Sequence, residues 1–520
     1  MEKLTGCKPW IKTISPEISK PSLKDNTADV DRLLKAIKKT LQTESVSIDF
    51  AFAKRLPHEL RKYNYDVDAA LFEDQNVWHL INIFPSNTKN DIHGLAVDLG
   101  SSTVVVRLVN LSNQQIENEV SFHNPQVEIG TDILARIHFA AQEGGLEKLQ
   151  TLLVERLNRG IDQVAETHNI CTSSIAAMSV AGNTTMTHLF LGLDPYWICR
   201  EPYIPVINKP DRIRSKDLGL KLHREAPVLV FPNVGSYFGG DVIAGILASG
   251  MTEKAEPSIL VDVGTNAEVV IGNSDWLMAC AGAAGPALEG GVADMGMMAG
   301  PGVIDKIHID PRSGQFAIET IGNSPAVGIC GSGLIDLTAE LFLAGLIDLR
   351  GNYVVGKCGD RLIDIDGINH LVIVPPEDSA TGQALTLSQP DIDAMMRSKA
   401  AMYTILTTIT NTVNVSMHEI SRFYIAGTFG SFIDPQSAIT IGMIPDLPLE
   451  TYLPLGNTSL EGATMALLSA EAREQIFRIR DKITYLELNV NQEFMNAFSA
   501  ARFIPHTDRS LFPSVKVSVN

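Results

Sequence analysis

Gly94-Leu95-Ala96-Val97-Asp98-Leu99-Gly100-Ser101-Ser102-Thr103-Val104-Val105-Val106 decides how the rest of the chain is read. Its apolar run is a buried strand that closes on Asp98; Gly100 and two hydroxyl residues then make a tight turn into a second β-rich run. Glycine lets backbone N–H groups approach a phosphate closely because it has no Cβ, and Ser101, Ser102 and Thr103 add donors. Asp98 can hold a divalent metal, directly or through water. A lone copy would be an ordinary hairpin, for Asp, Gly and Ser are common turn residues. The chain repeats it. Ser258-Ile259-Leu260-Val261-Asp262-Val263-Gly264-Thr265-Asn266-Ala267-Glu268-Val269 aligns without a gap, Asp on Asp and Gly on Gly. Two such copies imply a duplicated domain with a nucleotide clamped between the halves.

At 520 residues the chain exceeds one core, so two or three domains are expected. A net charge of -18 argues against a nucleic-acid or anionic-membrane partner, both of which need a basic surface. No apolar run reaches the length of a membrane span, and Met1-Glu-Lys-Leu-Thr-Gly lacks a secretory h-region, so a cytoplasmic location is expected. Cys7, Cys171, Cys199, Cys280, Cys330 and Cys358 are too far apart for zinc ribbons, thioredoxin motifs or closely spaced cluster ligands.

Residues 1–22 carry Pro9, Pro16 and Pro21 without periodicity and read as a flexible tail. Val30, Leu33, Leu34, Ile37 and Leu41 then fall at helical spacing, with Asp25, Asn26 or Thr27 as the N-cap. A β-like Ser47–Ala51, a helix around Leu56–Tyr63 and a hairpin of Asp66–Phe72 with Val77–Phe84 complete a small α/β domain over 23–90, ending in the linker Pro85–Asp91. Asp91-Ile92-His93-Gly94 nearly matches the pattern by which carrier proteins ligate a corrinoid cobalt through His, but it is already entering the strand. The first lobe is placed at 91–256 and the second, with C-terminal helices, at 257–520.

Ile133–His168 is strongly helical, and Ile175–Ala181 is a short strand ending at Gly182-Asn183-Thr184-Thr185. Such a junction aims unsatisfied N–H groups at an anion above the sheet, or Asn183 simply caps the helix. The Gly- and Ala-rich 281–291 run offers one charge for metal or water, Glu289. Gly331-Ser332-Gly333 opens a helix that Gly345 stops, again an anion site, with Cys330 read as packing. Ser388-Gln-Pro-Asp391 is a capping-box start. Lys399 shares the apolar stripe of Ile392, Met395, Met396, Tyr403 and Leu406, and is read as reaching an anionic ligand. Gly427-Thr428-Phe429-Gly430 follows a strand, where glycines let a flat adenine or ribose lie on bare backbone.

These segments resemble the actin, sugar-kinase and heat-shock ATPase superfamily, in its order along the chain. Asn124-Pro125-Gln126, Gly182–Met186, Asp262–Asn266, Ala284–Gly290, Gly328–Gly333 and Gly456-Asn457-Thr458, with Leu56–Arg61 ahead of them, are similar to the reductive activators of corrinoid proteins. The resemblance implies duplicated ribonuclease-H-like, actin-type ATPase lobes behind a small α/β domain. It implies a Mg-dependent ATPase that returns a methyltransferase corrinoid protein from Co(II) to Co(I), and a possible homodimer. ATP and Mg2+ are the implied cofactors. Ser101, Ser102, Thr265 and Asn266 would hold the β- and γ-phosphates, with Gly100, Thr103, Asn183, Thr184, Gly264 and Gly331 beside them. Asp98 and Asp262 would bind Mg2+ through water and, with Glu289, place the attacking water. Gly427, Thr428, Phe429 and Gly430 would cover the adenosine, with Lys399 and Ser332 nearby. Family members carry an iron–sulfur domain whose cysteines this sequence lacks, so no iron–sulfur cluster is expected and a separate donor such as a ferredoxin would supply the electron. Two alternatives stay open: a small-molecule kinase using Glu268 or Glu289 as base, and a non-redox ATP switch acting on a partner protein.

Overall fold

A computed structural model of the chain describes residues 8–86, 91–211, 213–264, 266–282, 293–310, 313–427, 433–488 and 492–516. It divides into two compact units, Met1–Ala248 with Ser459–Asp481, and Ser249–Thr458 with Lys482–Asn520.

The first unit opens with a four-stranded sheet, order β1-β3-β4-β2, built from β1 (Ile11–Ile14), β2 (Val46–Ile48), β3 (Val67–Asp74) and β4 (Val77–Pro85). Helices α1 (Asp29–Leu41) and α2 (Phe50–Lys62) bury Leu33, Ile37, Phe52, Leu56 and Leu60 against Val67, Ala69, Leu71 and Leu80. The tail reading of residues 1–22 is corrected here. Ile11 and Ile14 are buried, and β1 pairs antiparallel with β3 from Ile11↔Phe72 to Ile14↔Ala69. The residues that follow are tied down by buried Arg32, whose Nη1 donates to Ser19 O at 3.1 Å and to Asp25 Oδ2 at 2.5 Å. Asp25 is thereby drawn away from capping α1, whose N-cap position falls on Ala28.

The rest of the first unit is a six-stranded sheet, order β7-β6-β5-β8-β10-β9. Its strands are β5 (His93–Leu99), β6 (Thr103–Asn110), β7 (Gln115–His123), β8 (Ile175–Gly182), β9 (Ile213–Arg214) and β10 (Pro227–Val230). Strand β5 is apolar on both faces, as its central position requires. It runs antiparallel to β6 and parallel to β8. The 133–168 helical stretch is α3 (Ile133–Ala140) and α4 (Gly145–Thr167), broken where Gly144 takes φ +70°. Along α4, Leu149, Leu153, Leu157, Ile161 and Val164 recur at helical spacing and cover the sheet. Helices α5 (Thr184–Leu191) and α6 (Gly240–Ser249) follow β8 and β10. The helix Thr458–Leu468 is held to this sheet by Arg107, whose Nη1 donates to Glu461 at 2.6 Å and Thr464 at 3.2 Å.

The second unit repeats the topology. Strands β11 (Ser258–Val263), β12 (Ala267–Gly272) and β13 (Leu277–Gly282) are joined, after an insertion, by β20 (Arg422–Ala426), β21 (Tyr452–Gly456) and β22 (Ile483–Tyr485), in the order β21-β20-β11-β12-β13-β22. Strand β11 is antiparallel to β12 and parallel to β20, the signs found for β5. The insertion holds two three-stranded sheets: β14 (Val303–Ile309), β15 (Phe316–Thr320) and β16 (Gly328–Ile329), then β17 (Leu362–Ile365), β18 (Ile368–Val374) and β19 (Leu385–Ser388). It also carries α7 (Gly331–Leu343) and the helix Gln389–Thr412, the latter opened by a Ser388/Asp391 capping box. The fold is thus a duplicated ribonuclease-H-like, actin-type α/β pair preceded by a small α/β domain.

Candidate functional site

In the first unit, the register sets Asp98 beside Ala181 and Leu99 beside Gly182, so the turn after β5 and the β8–α5 junction lie side by side. A Cβ at Gly100 would stand 2.2 Å from Thr103 O, which is why the turn needs glycine. Buried Asn124 fastens the turn: its Nδ2 donates to Gly100 O at 3.0 Å, and its N–H to Ser102 O at 2.9 Å. At the junction, Asn183 Oδ1 accepts from Met186 N–H at 2.9 Å, the capping geometry, and Thr184 Oγ1 donates to Gly235 O at 3.1 Å. Buried His188 is held neutral, its pKa lowered mainly by burial. Nε2 accepts from Val206 N–H at 3.1 Å, so the proton sits on Nδ1, 2.7 Å from Thr184 O.

One element of this half was missed in the sequence. Between β10 and α6, Gly239 packs so closely that a Cβ there would lie 2.3 Å from Asn183 Cα and 2.7 Å from Asp241 Oδ1. Gly239-Gly240-Asp241 therefore joins the Asp98 turn and Asn183 at one end of the sheet. The signal was available, since Val230 through Asp241 is a second strand–glycine–polar–helix junction like Gly182–Thr184.

In the second unit, Asp262 pairs in register with Glu268 on β12 and Ala426 on β20. Gly264 N–H donates to Asn266 O at 2.9 Å and closes the turn. Gly427 takes φ +82°, and a Cβ there would come within 3.0 Å of Asp262 Oδ1. The glycine after β20 thus lies against the carboxylate near the end of β11. Thr265, Glu289, Thr428, Phe429 and Gly430 lie outside the described residues.

The second unit also corrects one expectation. Lys399 is fully buried, and its Nζ donates to Phe503 O at 2.5 Å and Pro505 O at 2.7 Å. Its amino group donates to backbone carbonyls of the C-terminal segment rather than to an anionic ligand, and burial, which disfavours the charged form, pushes its pKa well down. Gly333 has a packing reason too, as a Cβ there would meet Ile304 O at 2.5 Å. Ser332 is buried, its Oγ 3.1 Å from Cys330 Sγ, and Cys330 packs with its Sγ 3.3 Å from Ile304 O.

Three family models match in order: the RACo linker region over residues 3–90, the RACo middle region over 93–254, and the C-terminal, ASKHA domain of RACo over 256–516. The chain belongs to the RACo family. Among its relatives, the corrinoid activation enzyme RamQ of Eubacterium limosum is 30% identical over 481 residues, covering 91% of this chain and 79% of its own. The [Co(II) methylated amine-specific corrinoid protein] reductase of Methanosarcina barkeri is 23% identical over 441 residues, 78% of this chain and 76% of its own. A solved structure titled reductive activator for corrinoid, iron–sulfur protein superposes with a TM-score of 0.89 at 36% identity, covering 98% of this chain and 81% of that one. The RACo match and this superposition agree with the duplicated topology above.

Among the described residues no group of three or more His, Cys, Asp or Glu side chains is placed to hold a metal ion, and no helix is long and apolar enough to cross a membrane. Oxygen donors suited to Mg2+, the Asp98 and Asp262 carboxylates, close the matched strands β5 and β11. In each unit a narrow glycine turn lies beside the aspartate, Gly100 after Asp98 and Gly264 after Asp262.

Proposed function

We propose that this chain is an ATP-dependent reductive activator, which returns the Co(II) of a partner corrinoid protein to Co(I). The observation that carries the reading is the likeness to the reductive activator structure along nearly the whole chain, joined to a duplicated pair of aspartate-bearing turns. Backbone N–H groups and hydroxyls of Gly100, Ser101, Ser102, Thr103, Gly264, Thr265 and Asn266 bind the phosphates. Asp98 and Asp262 hold Mg2+ through water, which supplies charge neutralisation at the phosphates. Asp241, beside Asn183, joins Glu289 as a candidate for orienting water. Gly427, Thr428, Phe429 and Gly430 cover the adenosine.

Reduction of Co(II) takes one electron, and ordinary cellular donors deliver it uphill. ATP and ADP differ by the γ-phosphate, whose presence or loss gives two states for the corrinoid protein to read. The electron comes from a separate donor of the ferredoxin class. The test mixes the protein with a Co(II) corrinoid protein, Mg-ATP and reduced ferredoxin, and follows the Co(I) absorption band. The band is expected with ATP and absent with ADP; its absence under both, with ATP still hydrolysed, would contradict the redox reading.

A further inference from the structure

Behind the first turn sits a cation that the account so far leaves idle. Arg136 of α3 is 0% exposed and heads the fully buried side chains by size. Its Nε donates to Gly130 O at 2.9 Å and its Nη1 to Met186 Sδ at 3.4 Å, while Nη2 has no partner among the described residues. The acid nearest along the chain, Asp132, caps α3 by accepting from Ala135 N–H at 2.8 Å and reaches Arg136 only through the longer-range field. Burial lowers the Arg136 pKa, yet a guanidinium keeps its proton in proteins. A buried charge without a counter-ion is costly, and one left in place calls for a negative partner.

The contacts say where that partner belongs. Met186 Sδ, the acceptor for Arg136, is also 3.7 Å from Asn124 Nδ2, the nitrogen that holds Gly100 O. Met186 N–H is in turn the group capped by Asn183. The Gly100 turn and the Asn183 junction therefore converge on Met186, the residue to which Arg136 Nη1 donates.

We infer that Arg136 is a positioning residue for the polyphosphate end of the nucleotide. Its charge, without a carboxylate partner among the described residues, biases the Gly100–Thr103 turn toward anionic oxygens and, through Met186, keeps Asn124 seated on Gly100. The inference rests on the ATP reading. In a low-dielectric interior a charge acts over several ångströms, so its effect grows with the number of phosphates. It does not act on the base or ribose.

The experiment measures the affinities of the whole chain for Mg-ATP, ADP and AMP by calorimetry, in wild type, Arg136→Met, Arg136→Lys and Met186→Leu. Arg136→Met is expected to weaken ATP by about tenfold, ADP less, and AMP not at all, with Arg136→Lys recovering most of the loss. Met186→Leu conserves volume and keeps the fold; it should weaken ATP about threefold, the relay share of the effect, and leave AMP unchanged. Equal weakening of all three nucleotides by Arg136→Met, or none, would overturn the inference. Should that variant fail to fold, unchanged ATP affinity in Met186→Leu overturns it instead. Failure of the wild type to bind ATP at all would strike the ATP reading itself, a result distinct from these.

Discussion

The two six-stranded sheets share strand order and strand direction around β5 and β11, yet each is extended at a different edge. In the first unit β9 adds antiparallel beside β10, and in the second β22 adds parallel beside β13. The first extension is where the small domain attaches. Arg214 of β9 lies over the Phe72 ring at 4.8 Å, and Lys216 Nζ bridges Asp49 at 3.3 Å and Glu225 at 2.9 Å. The turns differ as well: Gly100 is backed by the polar set Asn124, Met186 and Arg136, whereas Asp262 is backed by Gly427. The shared strands place an aspartate at the same point of each unit, and specialisation sits on edges and behind turns.

The strongest way to break this comparison is to remove each aspartate in turn. Asp98→Ala and Asp262→Ala should each lower ATP turnover by about a thousandfold, roughly 4 kcal/mol, with unchanged circular dichroism. Retained turnover in one variant would show that the units are not functionally equivalent. A second prediction separates the units by pH. Burial depresses the His223 pKa to about 4, against about 6.5 when unfolded. The unfolded chain therefore takes up the proton first. The stability of the neutral form is complete above about pH 6.5 and falls by about 1.4 kcal/mol per unit toward pH 4. Denaturant titrations should show this slope reduced in His223→Asn, whose amide oxygen can still accept from Glu225 N–H. Third, Gly427→Ala, strained at φ +82°, should weaken ATP about tenfold, roughly 1.4 kcal/mol, without unfolding the second unit. The smallest effect is expected for Lys399→Met, which should leave ATP affinity within about twofold while costing about 1–3 kcal/mol of stability through the freed carbonyls. A large loss of ATP affinity would return Lys399 to the site.

Both aspartate turns could be read from the chain because the signal is local: an apolar run, an acid, a glycine and a hydroxyl, twice in one alignment. The same holds for the Ser388 capping box and for α4. What could not be read depends on distant partners. Lys399 looked like a ligand residue because its stripe is visible in sequence, while Phe503 and Pro505, about a hundred positions away, are not. Strand β1 offers only Ile11 and Ile14 as apolar residues and becomes a strand because β3 presents an edge. Nothing local marks Arg136 as buried, and the glycines of Gly239-Gly240-Asp241 reveal their purpose only against Asn183. The grouping of Ser459–Asp481 with the first unit likewise follows distant partners rather than chain order, among them Arg107 with Glu461 and Trp10 with Leu467.

The most direct measurement is a calorimetric titration of a non-hydrolysable ATP analogue, with Mg2+, into the wild type and the two aspartate variants. A single nucleotide per chain, with affinity at least about tenfold weaker in Asp98→Ala and in Asp262→Ala alike, is the result predicted for two turns serving one triphosphate. Two nucleotides per chain, each lost with its own aspartate, would mean that the duplicated units work separately, and the account would fail.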